Sequence, residues 1–283
     1  MAPDHLTEVN RPADRRFDYT PDGLFGMLVP QANTVVEPEF ALLTPPTQGM
    51  MTARLVHDHP HIEERLRQYF DQVDKTMSRF ANAPLSAIAF GCTGASYLVG
   101  VNREDAVVAE HADKVPLITA AKAVCACLAL CCARRIALVS PYPAWLTDAS
   151  VAYWAERGFE VSDVQSMTAG DGMFHPIYTI PGAWTVTAVA RAQALDVDAV
   201  LVLGTGLPSL HALADRNRAD APPVLACNLC LAAVTIALVG GTPLTAQVLS
   251  RQWLAETAPW RRRLADRDRV IATPWPTGAG GSL

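Results

Sequence analysis

A thiol at the end of a buried strand is the feature of this sequence best suited to chemistry. Residues 85–90, Leu-Ser-Ala-Ile-Ala-Phe, are apolar or small, as in a strand buried on both faces. Gly91 and Cys92 follow, and a helix is predicted to begin near Thr93. The first N–H groups of a helix carry partial positive charge, which lowers the pKa of a thiol and binds an anion. Cys92 is therefore a candidate nucleophile or proton donor, although a buried cysteine in a turn is also an ordinary core residue.

The composition describes a globular protein with no sign of a polyanionic partner. The chain has 283 residues, half of them hydrophobic, and a net charge of −5. A nucleic-acid-binding protein needs a basic face, whereas the basic run at residues 261–263 lies among acids on a predicted solvated helix face. Residues 1–19 are polar and charged, so no signal peptide is predicted, and no apolar run reaches the roughly 18 residues of a membrane span. We expect a cytoplasmic protein without nucleic-acid or membrane partners.

The other cysteines favour neither a disulfide framework nor a metal site. The total of seven is odd, and four of them lie in one apolar segment, residues 120–133, which predicts a buried helix. Cys227 and Cys230 form a CxxC pair without a second pair at the spacing that zinc requires. The histidines within residues 57–61 predict a surface loop. No metal ligand set is therefore expected.

Apolar strands that alternate with helical segments indicate a parallel α/β fold. The strand–turn–helix unit recurs about eight times, and such folds place their sites outside the carboxyl ends of the strands. Two strand ends share a shape, Phe-Gly-Cys-Thr-Gly at 90–94 and Leu-Gly-Thr-Gly at 203–206, which suggests two duplicated lobes facing one cleft. Five predicted strands end in small or polar residues, at 30–34, 91–94, 140–142, 204–206 and 227–228.

The predicted organisation follows from this alternation. Residues 229–256 contain helices that we expect to return and complete the first lobe. The four other parts, in chain order, are an N-terminal arm (1–21), lobe 1 with Cys92 (22–134), lobe 2 (135–228) and a C-terminal tail (257–283).

Four motifs, in this order and spacing, resemble a known family. They are Pro-Gln-Ala-Asn-Thr-Val-Val-Glu-Pro-Glu-Phe at 30–40, Gly-Cys-Thr-Gly-Ala-Ser at 91–96, Ser-Pro-Tyr at 140–142 and Gly-Thr-Gly at 204–206. Together they resemble the aspartate/glutamate racemase superfamily, in the branch of maleate cis-trans isomerase and arylmalonate decarboxylase. The resemblance implies two Rossmann-like lobes with parallel sheets, related by a pseudo-twofold axis. It also implies chemistry without cofactor or metal, on a small carboxylate held between the lobes, and it is consistent with a homo-oligomer.

One residue of that family pattern is missing. In the family a cysteine from each lobe faces the substrate; the first matches Cys92, and the second should fall at Gly204. A racemase needs an acid or base on both faces of its substrate. Here it would have to use Cys227, Cys230, His211 or a water molecule. Cys227, at the end of a neighbouring strand, is the best of these candidates.

Two other reactions need only one thiol. In a maleate-type isomerisation the thiolate adds to the C=C bond, the new single bond rotates and the thiolate leaves. In a malonate-type decarboxylation, loss of CO2 leaves an enediolate that the thiol protonates. Both require donors for carboxylate or enediolate oxygens. The resemblance assigns that binding to the residues Thr93, Gly94, Ala95, Tyr142, Gly204, Thr205 and Gly206.

Asn33 favours the isomerase. Asn-Thr followed by Glu-Pro-Glu-Phe resembles the maleate isomerase pattern, whereas the decarboxylases carry small apolar residues at that position. The amide offers donors to a second carboxylate or supports the thiol, with a helix N-cap as its alternative role. Thr93 and Asn228 have the same alternative, and Asn228 is otherwise a binding residue that braces the site. Glu37 and Glu39 are predicted to be ordinary dipole partners of a first helical turn.

The sequence therefore predicts a cofactor-independent isomerase of a maleate-like dicarboxylate. Cys92 is the predicted nucleophile, with Asn33 and Tyr142 as further catalytic residues. The first alternative is an arylmalonate-type decarboxylase in which Cys92 donates a proton. An amino-acid or hydantoin-type racemase and a non-catalytic carboxylate-binding protein are the others.

Overall fold

The first lobe is a parallel sheet with helices between its strands. The structure is a computed structural model that describes residues 17–167 and 176–272. The lobe contains β1 (Leu24–Pro30), α1 (Val36–Leu43), β2 (Gly49–Leu55), α2 (Ile62–Asp71), α3 (Val73–Met77), β3 (Ala87–Phe90), α4 (Thr93–Glu110), β4 (Leu117–Thr119) and α5 (Ala120–Leu130). Its strand order is β2-β1-β3-β4. All neighbouring strands run parallel, as the alternating pattern predicted.

The second lobe repeats the first. It contains β5 (Arg135–Ser140), α6 (Ala144–Glu156), β6 (Glu160–Ser166), a 3₁₀ turn (Pro176–Thr179), α7 (Gly182–Gln193), β7 (Ala199–Val202), α8 (Leu210–Arg216) and β8 (Val224–Ala226). Its strand order, β6-β5-β7-β8, matches that of the first sheet strand for strand, and its pairs are also parallel. The predicted α/β fold of two lobes with parallel sheets is confirmed.

Apolar residues recur at helical spacing between residues 60 and 80, which predicts one long helix, but the structure divides this segment. It forms α2, α3 and a 3₁₀ turn, Ser78–Phe80, with non-helical backbone at Gln72 (φ −102°, ψ 5°). The apolar face continues across the break, because Tyr69 and Val73 on either side of it are both buried. Neither glycine nor proline marks the break in the sequence.

The C-terminal helices pack on both lobes. Helix α9 (Cys227–Val239) contacts α5, β3 and β4 of the first lobe as well as β8. A short helix α10 (Ala246–Val248) and a π-helical turn (Leu249–Leu254) follow it. No helix among the described residues is both long enough and apolar enough to span a bilayer.

Part of the predicted tail is a helix. Residues 259–272 form α11 (Pro259–Ala272), and the residues after 272 lie outside the described part of the chain. Trp260 and Leu264, one turn apart, are buried on one face. The basic run is also less solvated than predicted, because Arg261 donates to the Ala214 carbonyl (2.6 Å) and Arg263 to the Leu42 carbonyl (2.5 Å). The apolar spacing and these carbonyl contacts hold the helix against the body of the protein.

A buried carboxylate joins the two lobes between α4 and α6. Glu104 of α4 is fully buried and accepts hydrogen bonds from Thr119 Oγ1 (2.6 Å), the Arg157 guanidinium (2.7 Å) and the Tyr153 hydroxyl. The neighbouring Asp105 accepts from the same guanidinium (2.9 Å), and this hydrogen bond lowers the pKa of Asp105 to about 2. A buried ion that keeps its partner is tolerated, whereas an unpaired one is costly.

Removing Arg157 should therefore destabilise the fold strongly. We expect Arg157→Ala to lower the free energy of unfolding by about 3–5 kcal/mol, because Glu104 is left buried without its counter-ion. Urea denaturation followed by circular dichroism measures the change. The matched control is Arg218→Ala, which breaks the exposed pair with Glu256 (3.0 Å) and should cost less than about 1 kcal/mol. Equal losses in the two variants would contradict a special role for the buried pair.

Candidate active site

One cavity of about 300 Å³ opens at the carboxyl ends of the central strands of both sheets. Asn33 follows β1, Cys92 and Gly94 follow β3, Tyr142 follows β5, and Thr205 and Gly206 follow β7. Six of the ten predicted site residues line this one cavity: Asn33, Cys92, Gly94, Tyr142, Thr205 and Gly206. The other four, Thr93, Ala95, Gly204 and Asn228, lie behind them and do not line it.

Cys92 sits at the start of α4 with its sulfur on the helix terminus. Its backbone is extended (φ −147°, ψ 100°), so the chain turns directly from β3 into the helix. The backbone N–H groups of Gly94 and Ala95, in the first turn of α4, lower the pKa of the thiol. Burial has the larger effect and raises that pKa to about 12. The net shift is opposite to the one predicted from the helix terminus alone, and the thiol of the free protein is protonated at neutral pH.

A pair of hydroxyl groups lies beside the thiol. Tyr142 lines the cavity, and its hydroxyl is 3.0 Å from Thr93 Oγ1. Thr93 is buried, and its hydroxyl group contacts Tyr142 rather than capping α4. The helix-cap alternative for Thr93 is therefore wrong. Burial raises the pKa of Tyr142 well above its ordinary value, and the hydrogen bond from Thr93 opposes that rise only in part. Tyr142 is thus a neutral hydrogen-bond donor at the cavity wall.

Asn33 has the capping role that the sequence left open, and it also reaches the cavity. Its Oδ1 accepts from the backbone N–H groups of Val35 (2.8 Å) and Val36 (3.0 Å) at the start of α1. The opposite end of the amide, Nδ2, lies 3.4 Å from Thr205 Oγ1. Thr205 Oγ1 in turn donates to the Gly91 carbonyl across the lobe boundary (2.8 Å). Because Oδ1 is held by α1, the NH2 group is left on the cavity side.

Asn228 and Glu39 support the site from behind. Asn228 Nδ2 donates to Glu39 Oε2 (2.8 Å) and to the Thr205 carbonyl (3.0 Å). Glu39 is buried and also accepts from the backbone N–H groups of Ser209 (2.6 Å) and Leu210 (3.2 Å) at the start of α8. Burial raises the pKa of Glu39, and these hydrogen bonds oppose the rise. Glu39 is therefore a link between the lobes, which the dipole interpretation of α1 did not predict.

Gly204 has no room for a side chain. Its φ of +90° favours glycine, and an added Cβ would lie 2.6 Å from Ile177 Cδ1 and 3.3 Å from the Tyr142 hydroxyl oxygen. Ile177, which lines the cavity, occupies the space where the side chain of residue 204 would project. At the position of the missing second thiol, the side chain of Ile177 therefore fills the space that a cysteine would need.

None of the predicted stand-ins for the second thiol lines this cavity. Cys227 is buried in the first turn of α9, and its sulfur donates to the Val202 carbonyl (3.4 Å). Cys230 is fully buried in the same helix. His211 lies on the surface, where its ring is 3.1 Å from Asp268. Within the described part of the chain, Cys92 is the only thiol that reaches the cavity.

The histidines of residues 57–61 form hydrogen bonds within their own loop. The backbone N–H of His59 donates to His57 Nδ1 (3.1 Å), and that of His61 donates to His59 Nδ1 (3.2 Å). No group of three or more His, Cys, Asp or Glu side chains in residues 17–167 and 176–272 is arranged to hold a metal ion.

Helix α2 supplies cavity residues that are not among the ten predicted site residues. Ile62, Arg65, Leu66 and Tyr69 line the cavity together with Tyr178 of the 3₁₀ turn. The signal was the helical spacing of Ile62, Arg65 and Tyr69, which places a cation on the same helix face as apolar residues. The apolar and aromatic content of residues 167–184 predicts that this segment forms part of a substrate pocket. It contributes Ile177 and Tyr178 to the cavity wall, while residues 168–175 lie outside the described chain.

Comparison with known proteins agrees with this fold. The sequence model of the family described as arylmalonate decarboxylase matches residues 25–248, which include both sheets and every predicted site residue. The chain belongs to this family. The predicted resemblance to the maleate isomerase and arylmalonate decarboxylase branch is confirmed.

Several relatives of this arylmalonate decarboxylase family member are maleate isomerases. The enzyme of Nocardia farcinica is 28% identical over 211 residues, 71% of this chain and 83% of its own length. The enzyme of Pseudomonas putida is 26% identical over 216 residues, 71% of this chain and 85% of its own length. Both are similar in sequence across the two lobes.

Solved structures share the fold. The maleate isomerase Iso of Pseudomonas putida S16 has a TM-score of 0.69 at 22% identity, over 78% of this chain and 94% of its own. A Cys-to-Ser variant of the Nocardia farcinica maleate cis-trans isomerase, with a covalently bound succinylcysteine intermediate, has a TM-score of 0.64 at 27% identity, with the same coverage. Arylmalonate decarboxylase has a TM-score of 0.59 at 21% identity, again over 78% and 94%.

Proposed function

We propose that this protein is a cofactor-independent cis–trans isomerase of a small unsaturated dicarboxylate such as maleate, acting through a covalent adduct on Cys92. The observation that carries the proposal is that Cys92, the one thiol among the described cavity residues, lies at the N-terminus of α4 and lines the same cavity as Tyr142. The maleate isomerase relatives support it, and so does the succinylcysteine intermediate of the Nocardia farcinica enzyme.

In the proposed reaction, the sulfur of Cys92 attacks one alkene carbon of maleate. The S–C bond forms, the C=C electron pair moves to the other carbon, and its carboxylate becomes an enediolate. The attacking sulfur is the thiolate, which has already lost its proton to solvent. Rotation about the new C–C single bond brings the carboxylates trans, and the C–S bond then breaks as the electron pair returns to the alkene. Fumarate leaves and the thiolate is restored.

The neighbours of Cys92 have proposed roles in these steps. Taking a thiol of pKa about 12 to the thiolate at pH 7 costs about 7 kcal/mol, close to half of the roughly 16 kcal/mol barrier of an enzyme with a typical kcat. The N–H groups of Gly94 and Ala95 stabilise the anionic sulfur. Tyr142, held by Thr93, donates to the enediolate oxygen where negative charge develops. Asn33 Nδ2 and the turn at Thr205 bind carboxylate oxygens.

A decarboxylase is the second candidate, and two observations favour it. The protonated thiol of Cys92 is suited to deliver a proton to an enediolate left by loss of CO2. The cavity also has apolar wall residues, among them Leu66, Leu146 and Ile177, which suit an apolar substituent larger than any in maleate. A racemase has less support, because Cys227, Cys230 and His211, the predicted replacements for the missing thiol, do not line the cavity.

The proposed setting is the cytoplasm, with a small carboxylate as the partner rather than nucleic acid or a membrane. The acidic balance and the absence of a basic face in the sequence support this. The homo-oligomer that the family resemblance allows stays a prediction.

Substrate and pH dependence separate the two candidates. We expect purified protein to convert maleate to fumarate, seen by proton NMR, and to leave phenylmalonate unchanged. Because burial raises the pKa of Cys92 to about 12, kcat/KM for dianionic maleate should rise about tenfold per pH unit between pH 7 and 9. Release of CO2 from phenylmalonate at a rate independent of pH, without fumarate formation, would favour the decarboxylase instead.

A further inference from the structure

Arg65 is a cation at the cavity whose charge is not neutralised by the described chain. It lies in α2, lines the same cavity as Cys92, and its Nε is buried without a hydrogen-bond partner. No carboxylate in residues 17–167 or 176–272 forms an ion pair with it. Its acidic neighbours are engaged elsewhere, Glu63 with Arg67 (3.1 Å) and Glu64 with Gln68 (2.9 Å). A buried polar group normally has a partner, so this guanidinium is incomplete.

The rest of the cavity is neutral. Among the described residues that line it, Arg65 is the only Asp, Glu, Lys, Arg or His. Burial raises the pKa of Tyr69 to about 12 and also raises that of Tyr178, and the charge of Arg65 opposes both rises. Both tyrosines are therefore uncharged donors at neutral pH, and Arg65 lies close enough to affect them. A dianion that entered this cavity would meet one fixed positive charge.

We propose that Arg65 binds the second anionic group of the substrate, the one that does not become the enediolate. This deepens the proposed function and rests on it, because it restricts the substrate class to molecules with two anionic groups. A guanidinium offers five N–H donors in a planar fork that matches a carboxylate, and it stays charged throughout the reaction. One carboxylate is then held by Arg65, while the other lies with the neutral donors near Cys92. Only the carboxylate near Cys92 has to accept an electron pair. The carboxylate bound by Arg65 can therefore stay in place during both addition and elimination of the sulfur.

The test compares dianionic and monoanionic ligands in three variants. We measure the Kd of succinate, an unreactive dicarboxylate, and of succinamate, its monoamide, by isothermal titration calorimetry. Arg65→Gln should weaken succinate binding by about 10- to 100-fold and change succinamate binding by less than about threefold. Arg65→Lys should recover part of the loss because it restores the charge without the fork. Arg67→Gln is the matched control on the same helix, and its Kd values should equal those of the wild type.

The results of these measurements distinguish failure of the Arg65 assignment from failure of the proposed function. An unchanged succinate Kd in Arg65→Gln overturns the assignment, as does an equal loss for succinamate, which would indicate a change of packing. Failure of the wild type to bind succinate overturns it too. If binding depends on Arg65 but maleate is not isomerised, the subsite stands and the proposed function fails. If maleate is isomerised equally well by wild type and Arg65→Gln, the function stands and the subsite fails.

Discussion

Cys92→Ser should reduce kcat for maleate isomerisation by at least about 10³-fold. A serine hydroxyl is a far weaker nucleophile toward an alkene, and in this cavity it would face the same burial that raises the pKa of the thiol. Sulfur and oxygen differ little in size, so the variant should fold and bind succinate with a Kd near that of the wild type. The measurement is fumarate formation by NMR, with the adduct sought on the wild type by mass spectrometry of the intact protein.

The matched control for this variant is Cys132→Ser. Cys132 is exposed just beyond α5 and does not line the cavity, so its replacement should leave kcat unchanged. Comparable losses in both variants would show that thiol removal acts through stability. Full activity in Cys92→Ser would eliminate covalent catalysis by this residue, and with it the proposed mechanism.

Tyr142→Phe has the second largest expected effect. Removing one preorganised donor to a developing oxyanion typically costs about 10²- to 10³-fold in kcat, and we expect a loss in this range with little change in KM. The ring would keep its edge contact with Tyr97, whose centroid is 6.3 Å away, so the fold should be retained. Thr93 loses its hydroxyl partner, which costs about 1 kcal/mol of stability.

Tyr97→Phe is the control for the phenol group. Tyr97 packs against Tyr142 but does not line the cavity, so kcat should stay within about twofold of the wild type. A loss confined to KM in Tyr142→Phe would mean that the hydroxyl binds substrate and transition state equally, and the enediolate role would then be withdrawn.

The sequence predicted the parts of the site that depend on local pattern. Cys92 and Tyr142 stand directly after buried apolar strands, and parallel sheets bring such positions to one edge, so their meeting could be anticipated. The lobe duplication was also visible, because Phe-Gly-Cys-Thr-Gly and Leu-Gly-Thr-Gly have the same form. The family resemblance added the chemistry but not the geometry.

The remaining features depend on contacts between distant segments, which local pattern does not contain. Arg65 was not among the predicted site residues, because its face of α2 forms a cavity wall only together with lobe 2 residues such as Tyr142. Glu39 looked like a helix-dipole partner because its bonds to Ser209 cross 170 positions of chain. The pKa of Cys92 was misjudged for a related reason: a helix terminus is a local property, whereas the burial that outweighs it comes from both lobes.

The bridge from Thr205 to the Gly91 carbonyl has a consequence for how ligands enter. This hydrogen bond, the Glu39–Ser209 link and the Glu104–Arg157 pair fasten one lobe to the other at three separate places. A hinge motion that swung the lobes apart would break all three, so the aperture is expected to stay nearly constant through the catalytic cycle. Little conformational entropy of the protein is then lost when a ligand binds, and the fixed width of the cavity entrance decides which ligands can enter.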